Sequence, residues 1–370
     1  MSDELVVFVD YGSQGPAGFY SERIIREAEK KHIVEAFLHR EFQGALSRAK
    51  VFRLFGRFIR YKNRGLFASI YKWIELEISL IGIALYLRSR KRKYPQLTLV
   101  LSLYQSFSAY SRFLHIVRRF SHVKLIIHDA VELRHSYPKF IMAPREEIIS
   151  SAHELLVHGE ESFRLLIHLN KPITSMPFPN FQSVVGDEQT LHPIGEPLRF
   201  LYIGHIRFEK GVDILLDAWR ALPPQLYSAA NLTVAGEIIG ELKICLDHLT
   251  SVEVVSSFID DDRFLKLIET ADCVLFPYRG GTNSSVLTTA IGLLKPTIVS
   301  RIPLFVDSPF FNEKLSFETV EDLTKLLSKV IATPSLLVEE RTRLLNRLAG
   351  VERDFTSFHQ MRDVFSQRGS

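Results

Sequence analysis

The chain has 370 residues with a formal net charge of +4, and 46% of its residues are hydrophobic while 24% are charged. This length predicts two domains, and the composition excludes a disordered or fibrous protein. Neither of the two cysteines, Cys245 and Cys273, has a His or Cys at metal-ligand spacing, so we expect a reducing compartment and no zinc site. The opening residues MSDELVVFVDYG lack the basic flank and apolar core of a signal peptide, which favours a cytoplasmic protein.

Short apolar runs alternate with helix-length segments along most of the chain. The runs are rich in Val, Ile and Leu and lack polar alternation, which is typical of parallel strands buried on both faces. This alternation predicts doubly wound α/β units. Strands are predicted at 5–9, 33–38, 97–103, 123–127, 155–157, 173–175, 199–203, 232–235, 252–255, 273–276 and 297–300. Helices are predicted at 20–31, 211–221 and 263–270, and near the end at 319–332, 335–348 and 355–367.

A polar stretch at 179–200, with three prolines and two glycines, interrupts this pattern and indicates an interdomain linker. We therefore predict two Rossmann-like domains whose parallel sheets face a cleft, since ligands of open α/β sheets bind at the carboxyl ends of the strands. The first domain covers 1–182 with a basic insertion at 46–93, and the second covers 196–350. A C-terminal helix over 351–370 is a candidate to pack back on the first domain.

The insertion carries most of the uneven charge of the chain. Between Arg40 and Lys93 there are fourteen lysines and arginines against three acidic residues. Residues 46–65 place five apolar side chains at helical spacing among cations, namely Val51, Phe52, Phe55, Phe58 and Ile59, while the apolar run at 78–87 is too short to span a bilayer. A basic amphipathic helix predicts docking on an anionic membrane surface. The alternative is that these helices pack on the sheet with solvated outer faces, and nucleic acid is disfavoured because no recognition motif accompanies the charge.

The sharpest local motif is RFLYIGHIRFEKGVDILLDAW at 199–219, where a buried strand ends at Gly204 and Gly211 opens a helix. A glycine lets a ligand approach the backbone closely, and Arg207 and Lys210 place cations beside a helix N-terminus. The motif therefore predicts a diphosphate site. The alternative is that Glu209 and Lys210 are ordinary solvated loop charges.

This motif resembles the start of the C-terminal domain of retaining GT-B glycosyltransferases, a group that includes glycogen synthases, sucrose synthases and bacterial mannosyltransferases. The resemblance continues through LTVAGE at 232–237, the segment at 252–278 and KPTIVSRIPLF at 295–305. It implies a nucleotide-sugar donor, retention of configuration, and neither a metal nor a further cofactor. It implies that Lys210 contacts the donor diphosphate, and that Arg207 replaces an arginine that many members carry at the position of His205. The donor-binding residues that it implies on the strand ends are Gly204, His205, Glu237 and Tyr278.

The segment PYRGGTNSSVLTTAIGLLKP at 277–296 departs from the family. Two glutamates usually stand eight positions apart here, and the aligned positions hold Gly281 and Thr289. Small residues before a helix at 283–293 still offer open backbone N–H groups and short side chains for phosphate or sugar. The candidates are Thr282, Asn283, Ser284, Ser285 and Thr289. The alternative is a Ser/Asn helix cap without a ligand.

The N-terminal half resembles the family more loosely. Gly15 and Gly18 lie in a glycine-rich loop after the first strand, which resembles the family's acceptor-side loop, although a plain βα turn fits equally well. His128 follows the strand at 123–127 and resembles a family histidine that lies near the transferred sugar. Asp260-Asp261-Asp262 resembles a metal motif, but its position directly before a helix favours a cap.

These features predict a metal-independent hexosyltransferase that moves a sugar from a nucleoside diphosphate to a glycan or lipid-linked acceptor. The resemblance makes His128, Lys210 and Arg207 the catalytic residues. Bacterial surface polysaccharide synthesis is the expected context, in the cytoplasm or on the inner face of the cell membrane. Two alternatives stay open: a non-catalytic partner or nucleotide-sugar-binding subunit, and a sugar-nucleotide epimerase on the same fold.

Overall fold

The computed structural model describes residues 4–13, 15–56, 66–128, 130, 138–177, 179, 193–238, 249–257, 259–281 and 284–367. The chain forms two compact units. Unit 1 comprises Met1–Pro179 together with Arg353–Ser370, and unit 2 comprises Asn180–Glu352. Of the linker expected at 179–200, residues 180–192 lie outside the described residues.

Unit 1 is built on a parallel sheet that has seven strands in the described residues, in the order β3-β2-β1-β4-β5-β6-β7. The strands are β1 (Leu5–Asp10), β2 (Ile33–His39), β3 (Lys50–Phe55), β4 (Leu97–Leu103), β5 (His122–Ile127), β6 (Glu154–His158) and β7 (Ile173–Met176). The helices between them are α1 (Gly15–Glu29), α2 (Leu66–Lys91), α3 (Ser108–Val117), α4 (Arg145–Ser150) and α5 (Glu160–Leu166).

Both faces of this sheet are covered, which explains why its central strands are apolar throughout. Leu5, Val7 and Val9 of β1 share one core with α2, α3 and α4. Phe8 points to the opposite face, where its ring centroid lies 5.5 Å from that of Phe365 in the C-terminal segment. The last residues of the chain therefore complete the core of unit 1.

A buried ion pair also ties the C-terminal segment to unit 1. The ammonium of Lys124 lies 2.7 Å from the Glu154 carboxylate and donates to the carbonyl of Val364 at 2.9 Å. Lys124 has no solvent-exposed surface. The Val364 carbonyl thus supplies a further hydrogen-bond acceptor to a buried cation, which favours docking of the C-terminal segment.

The helix predicted over 46–65 is wrong where the structure describes it. Lys50–Phe55 is instead β3, an edge strand that pairs in parallel with β2. The ring of Phe52 stacks on that of Phe37 with centroids 4.7 Å apart, so pairing with β2 outweighs the helical spacing of the apolar residues. Phe58 and Ile59 lie outside the described residues. The second half of the basic insertion is helical as predicted and forms α2. None of the helices described is long and apolar enough to cross a membrane.

Unit 2 contains a second parallel sheet, with six described strands in the order β10-β9-β8-β11-β12-β13. The strands are β8 (Leu198–Ile203), β9 (Ala230–Ala235), β10 (Val252–Val255), β11 (Cys273–Phe276), β12 (Thr297–Ser300) and β13 (Ser316–Phe317). Its helices are α6 (Val212–Arg220), α7 (Asp261–Thr270), α8 (Ser285–Gly292), α9 (Pro303–Val306) and α10 (Val320–Ala332). Helix α11 (Ser335–Met361) begins in unit 2, and its residues from Arg353 onward belong to unit 1.

The two helices predicted at 335–348 and 355–367 are a single helix, α11, which ends at Met361. Gly350 lies inside it, and a Cβ at this position would meet no atom within 4 Å. A glycine in a helix interior costs about 1 kcal/mol relative to alanine, which is too little to break a helix whose flanking turns are packed. Leu348 and Phe355 on either side are both fully buried.

The strand order reverses at one place in each sheet, between β1 and β4 in unit 1 and between β8 and β11 in unit 2. The carboxyl ends of strands at such a switch point leave a crevice in which open α/β sheets bind ligands. In unit 2 this point is marked by Gly204 and Pro277. In unit 1 it is marked by Asp10 and Tyr104.

Candidate functional site

Three glycines shape the switch point of unit 2. Gly204 follows β8 with φ +127°, and a Cβ there would touch only a methyl group of Val286 at 3.7 Å. Gly236 follows β9 with φ +149°, and a Cβ there would overlap the carbonyl oxygen of Gly204. Gly211 has φ +63°, and its Cβ would overlap the carbonyl of Pro277. These backbones pack directly on one another, and the surface at Gly204 stays clear for a ligand to approach.

Lys210, Tyr278 and Ser284, all predicted donor-side residues, come together at this edge. The Lys210 ammonium lies 3.6 Å from the centroid of the Tyr278 ring. The Tyr278 hydroxyl lies 3.4 Å from the Ser284 hydroxyl, which in turn accepts from the backbone N–H of Leu287 at 3.3 Å. The Ser300 hydroxyl donates to the Tyr278 carbonyl at 2.5 Å. A cation thus lies over a ring that is anchored beside the N-terminus of α8, and this arrangement suits a phosphate.

The cations on either side of Lys210 are engaged by the protein itself. Arg207 forms an ion pair with Glu209 at 3.0 Å. Arg279, which the sequence did not single out, donates to both oxygens of Asp213 at 2.8 and 2.6 Å. Its guanidinium also lies 4.2 Å from the ring centroid of Phe208. Arg279 therefore holds the 207–211 loop against the end of β11, and its pairing lowers the pKa of Asp213.

The other donor-side candidates lie at different depths. His205 and Glu237 follow β8 and β9 at the same sheet edge, where the Glu237 carbonyl accepts from Ile206 at 2.9 Å. Ser285 is the first residue of α8, whereas Thr289 is buried one turn later and its hydroxyl donates to the Ser285 carbonyl at 2.9 Å. Thr282 and Asn283 lie outside the described residues.

The acidic triplet before α7 is a helix cap, as predicted. The Asp260 carboxylate accepts from the backbone N–H of Arg263 at 2.9 Å and is the N-cap of the helix. Across the described residues, no three His, Cys, Asp or Glu side chains are grouped so that they could hold a metal ion.

In unit 1, His128 lies between two tyrosine rings at the end of β5. Its ring stacks on Tyr104 with centroids 4.0 Å apart and an interplanar angle of 2°, and it meets the edge of Tyr20 at 4.9 Å. Burial, with smaller effects of His158 and Arg145, lowers the pKa of His128 well below 6.5. His128 is therefore a neutral imidazole at physiological pH.

The two tyrosines that flank His128 are themselves held by Asp10 and His158, and the sequence singled out none of these four residues. The Asp10 carboxylate accepts from the Ser21 hydroxyl and, at 3.3 Å, from the Tyr104 hydroxyl, and burial raises the pKa of Asp10 to about 6. The Tyr20 hydroxyl lies 2.6 Å from Nε2 of His158, and burial lowers the pKa of His158 to about 4. Nδ1 of His158 faces the Met176 carbonyl at 3.0 Å, so this nitrogen carries the proton and Nε2 accepts from Tyr20.

These neighbours share a signal that could have found them. Asp10, Tyr104, His128 and His158 each stand at the carboxyl end of a strand, β1, β4, β5 and β6 respectively. These four strands are consecutive in the sheet, so their end residues line one edge of it.

The loop predicted around Gly15 and Gly18 is wrong, because both residues lie in the first turn of α1, which begins directly after the short turn that follows β1. Gly15 is the first residue of α1, and a Cβ on Gly18 would lie 3.3 Å from the carbonyl oxygen of Ser13. A Cβ on Gly12 would lie 2.8 Å from the Tyr104 ring. The small residues at Gly12 and Gly18 therefore allow close packing within unit 1, and Gly12 lies directly against the ring that stacks on His128.

Comparisons with known proteins identify a family over part of the chain. Residues 197–330 match a family described as glycosyl transferases group 1. No curated protein matches the chain.

Solved structures resemble almost the whole chain at low sequence identity. The trehalose-6-phosphate protein of E. coli bound with UDP-2-fluoro glucose is 13% identical, with a TM-score of 0.64 over 97% of this chain and 98% of that chain. Sucrose-phosphate synthase of Thermosynechococcus elongatus is 14% identical, with the same TM-score and coverage. The UDP-forming trehalose-phosphate synthase of Burkholderia xenovorans is 10% identical, with a TM-score of 0.63 over 98% of both chains. These similarities establish the GT-B fold of two Rossmann-like units.

Proposed function

We propose that this chain, which has the GT-B fold and matches the group 1 glycosyl transferase family over 197–330, is a glycosyltransferase that transfers a hexose from a nucleoside diphosphate to a glycan or lipid-linked acceptor. The observation that carries the proposal is the position of the Lys210 ammonium, 3.6 Å from the Tyr278 ring centroid at the switch point of unit 2. A cation fixed there, beside an unobstructed glycine backbone, matches a diphosphate group.

Departure of the nucleoside diphosphate leaves negative charge on its phosphate oxygens, and stabilising that charge is the main task of the donor site. We assign this task to Lys210 and to the first N–H groups of α8, next to Ser284 and Ser285. Arg207 assists less than the sequence suggested, because Glu209 offsets its charge. This set of donors supports transfer without a metal, and the resemblance of 199–219 to retaining enzymes supports retention of configuration.

We assign to His128 the role of orienting a hydroxyl of the transferred sugar or of the acceptor. A neutral imidazole can donate and accept one hydrogen bond each, which suits a sugar hydroxyl. Its lowered pKa keeps it in that state, and stacking on Tyr104 fixes its ring plane. His128 does not need to gain a charge for this role.

The acceptor and the cellular context also belong to the proposal. We propose bacterial surface polysaccharide assembly at the inner face of the cell membrane, with cytoplasmic donor. The basic region at 46–93 supports an anionic membrane as a partner, although β3 now replaces the helix expected over its first part.

A non-catalytic role is the second candidate, because Gly281 and Thr289 occupy the positions of the two family glutamates. Thr289 is 2% exposed and its hydroxyl is bonded within α8, so it does not substitute for a carboxylate. In this case the chain binds a nucleotide sugar, and a partner subunit performs transfer.

Thermal unfolding with UDP, GDP, ADP, CMP and their sugars, with and without magnesium, tests both candidates. Ligand at 100 times its Kd adds about 2.7 kcal/mol, which raises the Tm of a unit of this size by roughly 5–10 °C. We expect one nucleotide class to give this shift in wild type and in Lys266→Met, an exposed lysine on α7, but a much smaller shift in Lys210→Met.

Each outcome distinguishes the candidates. A selective shift without magnesium, together with hydrolysis or transfer of the donor sugar, supports the transferase. A shift without any turnover favours the non-catalytic role. The donor-site assignment is refuted if Lys210→Met binds as tightly as Lys266→Met.

A further inference from the structure

Helix α2 presents an apolar face to solvent along most of its length. Apart from Leu66 at its first position, its exposed large apolar side chains are between 39% and 78% accessible and follow each other at alternating steps of four and three residues. We call this row the α2 stripe; it consists of Phe67, Tyr71, Ile74, Ile78, Ile81 and Leu85. The opposite face of α2 fills the core of unit 1 through residues such as Leu76, Leu80 and Ile83. The helix is thus apolar on both sides, which is unusual for a helix on a protein surface.

The α2 stripe leads directly into a positively charged end. Arg88 and Arg92 are exposed and continue the same spacing beyond Leu85. Helix α3 packs beside α2, as the hydrogen bond from the Trp73 indole to Ser108 shows. Two exposed cations follow in the turn after α3, namely Arg118 and Arg119.

The acidic residues of α2 do not face outward to balance this charge. Glu75 is 2% exposed, and Glu77 forms an ion pair with Arg112 of α3. The outward side of α2 therefore combines a row of apolar side chains with a cationic end.

We infer that the α2 stripe inserts into the interface of a membrane that contains anionic lipids, with Arg88 and Arg92 at the headgroups. Aliphatic and aromatic side chains on one face, next to cations, are the composition of helices that lie in the plane of a bilayer surface. At 1.5 Å per residue the stripe is about 27 Å long, so α2 lies along the surface and does not cross it. This inference rests on the membrane part of the proposed function and not on sugar transfer.

A second copy of the chain is the other occupant that the spacing would suit, because steps of four and three also form coiled-coil seams. Charge argues against it. In a parallel pair, Arg88 and Arg92 of the two copies would lie side by side and repel each other. In an antiparallel pair they would face residues around Phe67, where α2 carries no carboxylate to pair with them. Anionic headgroups complement these cations, and acyl chains complement the stripe.

Flotation of the full chain with lipid vesicles, in the absence of any sugar donor, tests the inference. We expect binding to vesicles of phosphatidylcholine and phosphatidylglycerol at 3:1, weaker binding to pure phosphatidylcholine, and loss with increasing salt. Ile78→Ser with Ile81→Ser removes two side chains that are about 60% exposed and lowers the partition coefficient about a hundredfold. Arg88→Gln with Arg92→Gln lowers it about thirtyfold, and only on the anionic vesicles.

The matched control changes an equally exposed apolar pair on another helix. Val338 and Leu345 of α11 are 53% and 48% exposed, and Val338→Ser with Leu345→Ser is expected to bind vesicles like wild type. If the first stripe variant has a lowered Tm, Ile74→Ser with Leu85→Ser repeats the test at the edges of the stripe.

Three results overturn the inference. Wild-type chain that does not float with anionic vesicles overturns it, as does binding that survives in both stripe variants. Light scattering that shows a dimer in wild type and a monomer in the stripe variants, without vesicle binding, assigns the surface to a second copy instead. Because no donor is present, a failure here is separate from a failure of the Lys210 experiment.

Discussion

Lowering the pH from 7 to 5 is expected to destabilise unit 1 through histidines that are buried in the neutral form. Burial holds the pKa of His158 at about 4, and burial with nearby Lys31 and Lys30 does the same for His359. In the unfolded chain both titrate near 6.5. Below pH 6.5 the unfolded state binds protons that the folded state does not, so stability is lost as the pH falls toward 4.

The magnitude follows from these values. Each of His158 and His359 loses about 1.8 kcal/mol of stabilisation between pH 7 and 5. Asp10 acts in the opposite direction, because burial raises its pKa to about 6 and its carboxyl binds a proton in the folded state first. Between pH 7 and 5 this adds about 1.3 kcal/mol to the unfolding free energy. The net loss is about 2.4 kcal/mol, and the lowered pKa values of His128, His122 and His153 add to it in the same direction.

The two tryptophans allow each unit to be followed separately. Trp73 lies on α2 of unit 1 and Trp219 on α6 of unit 2. In Trp219→Phe the remaining fluorescence comes from Trp73, so urea unfolding of this variant reports on unit 1. The substitution itself lies in unit 2 and so does not alter the unit that is measured. Trp73→Phe reports on unit 2 in the same way.

We expect the unfolding free energy of unit 1 to fall by about 2 kcal/mol or more between pH 7 and 5, and that of unit 2 to change less. Adding His359→Leu is expected to reduce the fall by about 1.8 kcal/mol. The reasoning is refuted if unit 1 loses less than about 1 kcal/mol, or if His359→Leu leaves the pH dependence unchanged.

Three further changes concern unit 2. Gly211→Ala is expected to lower its unfolding free energy by more than about 2 kcal/mol, because the new Cβ overlaps the Pro277 carbonyl and φ is positive; equal urea midpoints for the two proteins would contradict this. Arg279→Ala is expected to cost about 1–2 kcal/mol by removing the ion pair with Asp213, and to weaken nucleotide binding through the loosened loop, as calorimetry would show. Burial lowers the pKa of Lys295 to about 8, so the unfolding free energy of unit 2 rises by about 1 kcal/mol from this group between pH 8 and 9. Lys295→Met is expected to lack this rise, and identical pH profiles of the two proteins would contradict the prediction.

Most of the fold was predictable because its strands are buried on both faces. Such strands are continuous apolar runs, and the predictions at 97–103 and 273–276 match β4 and β11. Residues 50–55 were not recognised as a strand, because Phe52 and Phe55 fit a helical spacing as well as a strand, and only pairing with β2 decides between them. The two-residue strand at 316–317 is too short to leave a pattern in the sequence.

The candidate site was predictable where a motif is local and not where it depends on the fold. Lys210 and Gly204 lie in one continuous loop, so their proximity was expected from spacing alone. Arg279 is an isolated residue in the sequence, and its role becomes clear only when β11 is placed beside β8. Asp10 and His158 are 148 positions apart, and only the strand order places both near the tyrosines around His128.

The pairing of cations with carboxylates in unit 2 determines how its affinity responds to ionic strength. Arg207 and Arg279 each face a carboxylate, so the field that a donor meets at this edge comes mainly from Lys210 and the α8 terminus. Dissolved salt screens the attraction between charges that lie more than a Debye length apart, which is about 8 Å in physiological salt. A single cation in contact with a diphosphate is much closer than this, so salt weakens their attraction far less. We therefore expect the proposed donor site to act through short, directed contacts. Its donor affinity should vary little over the salt concentrations at which the inferred vesicle binding through the α2 stripe is lost.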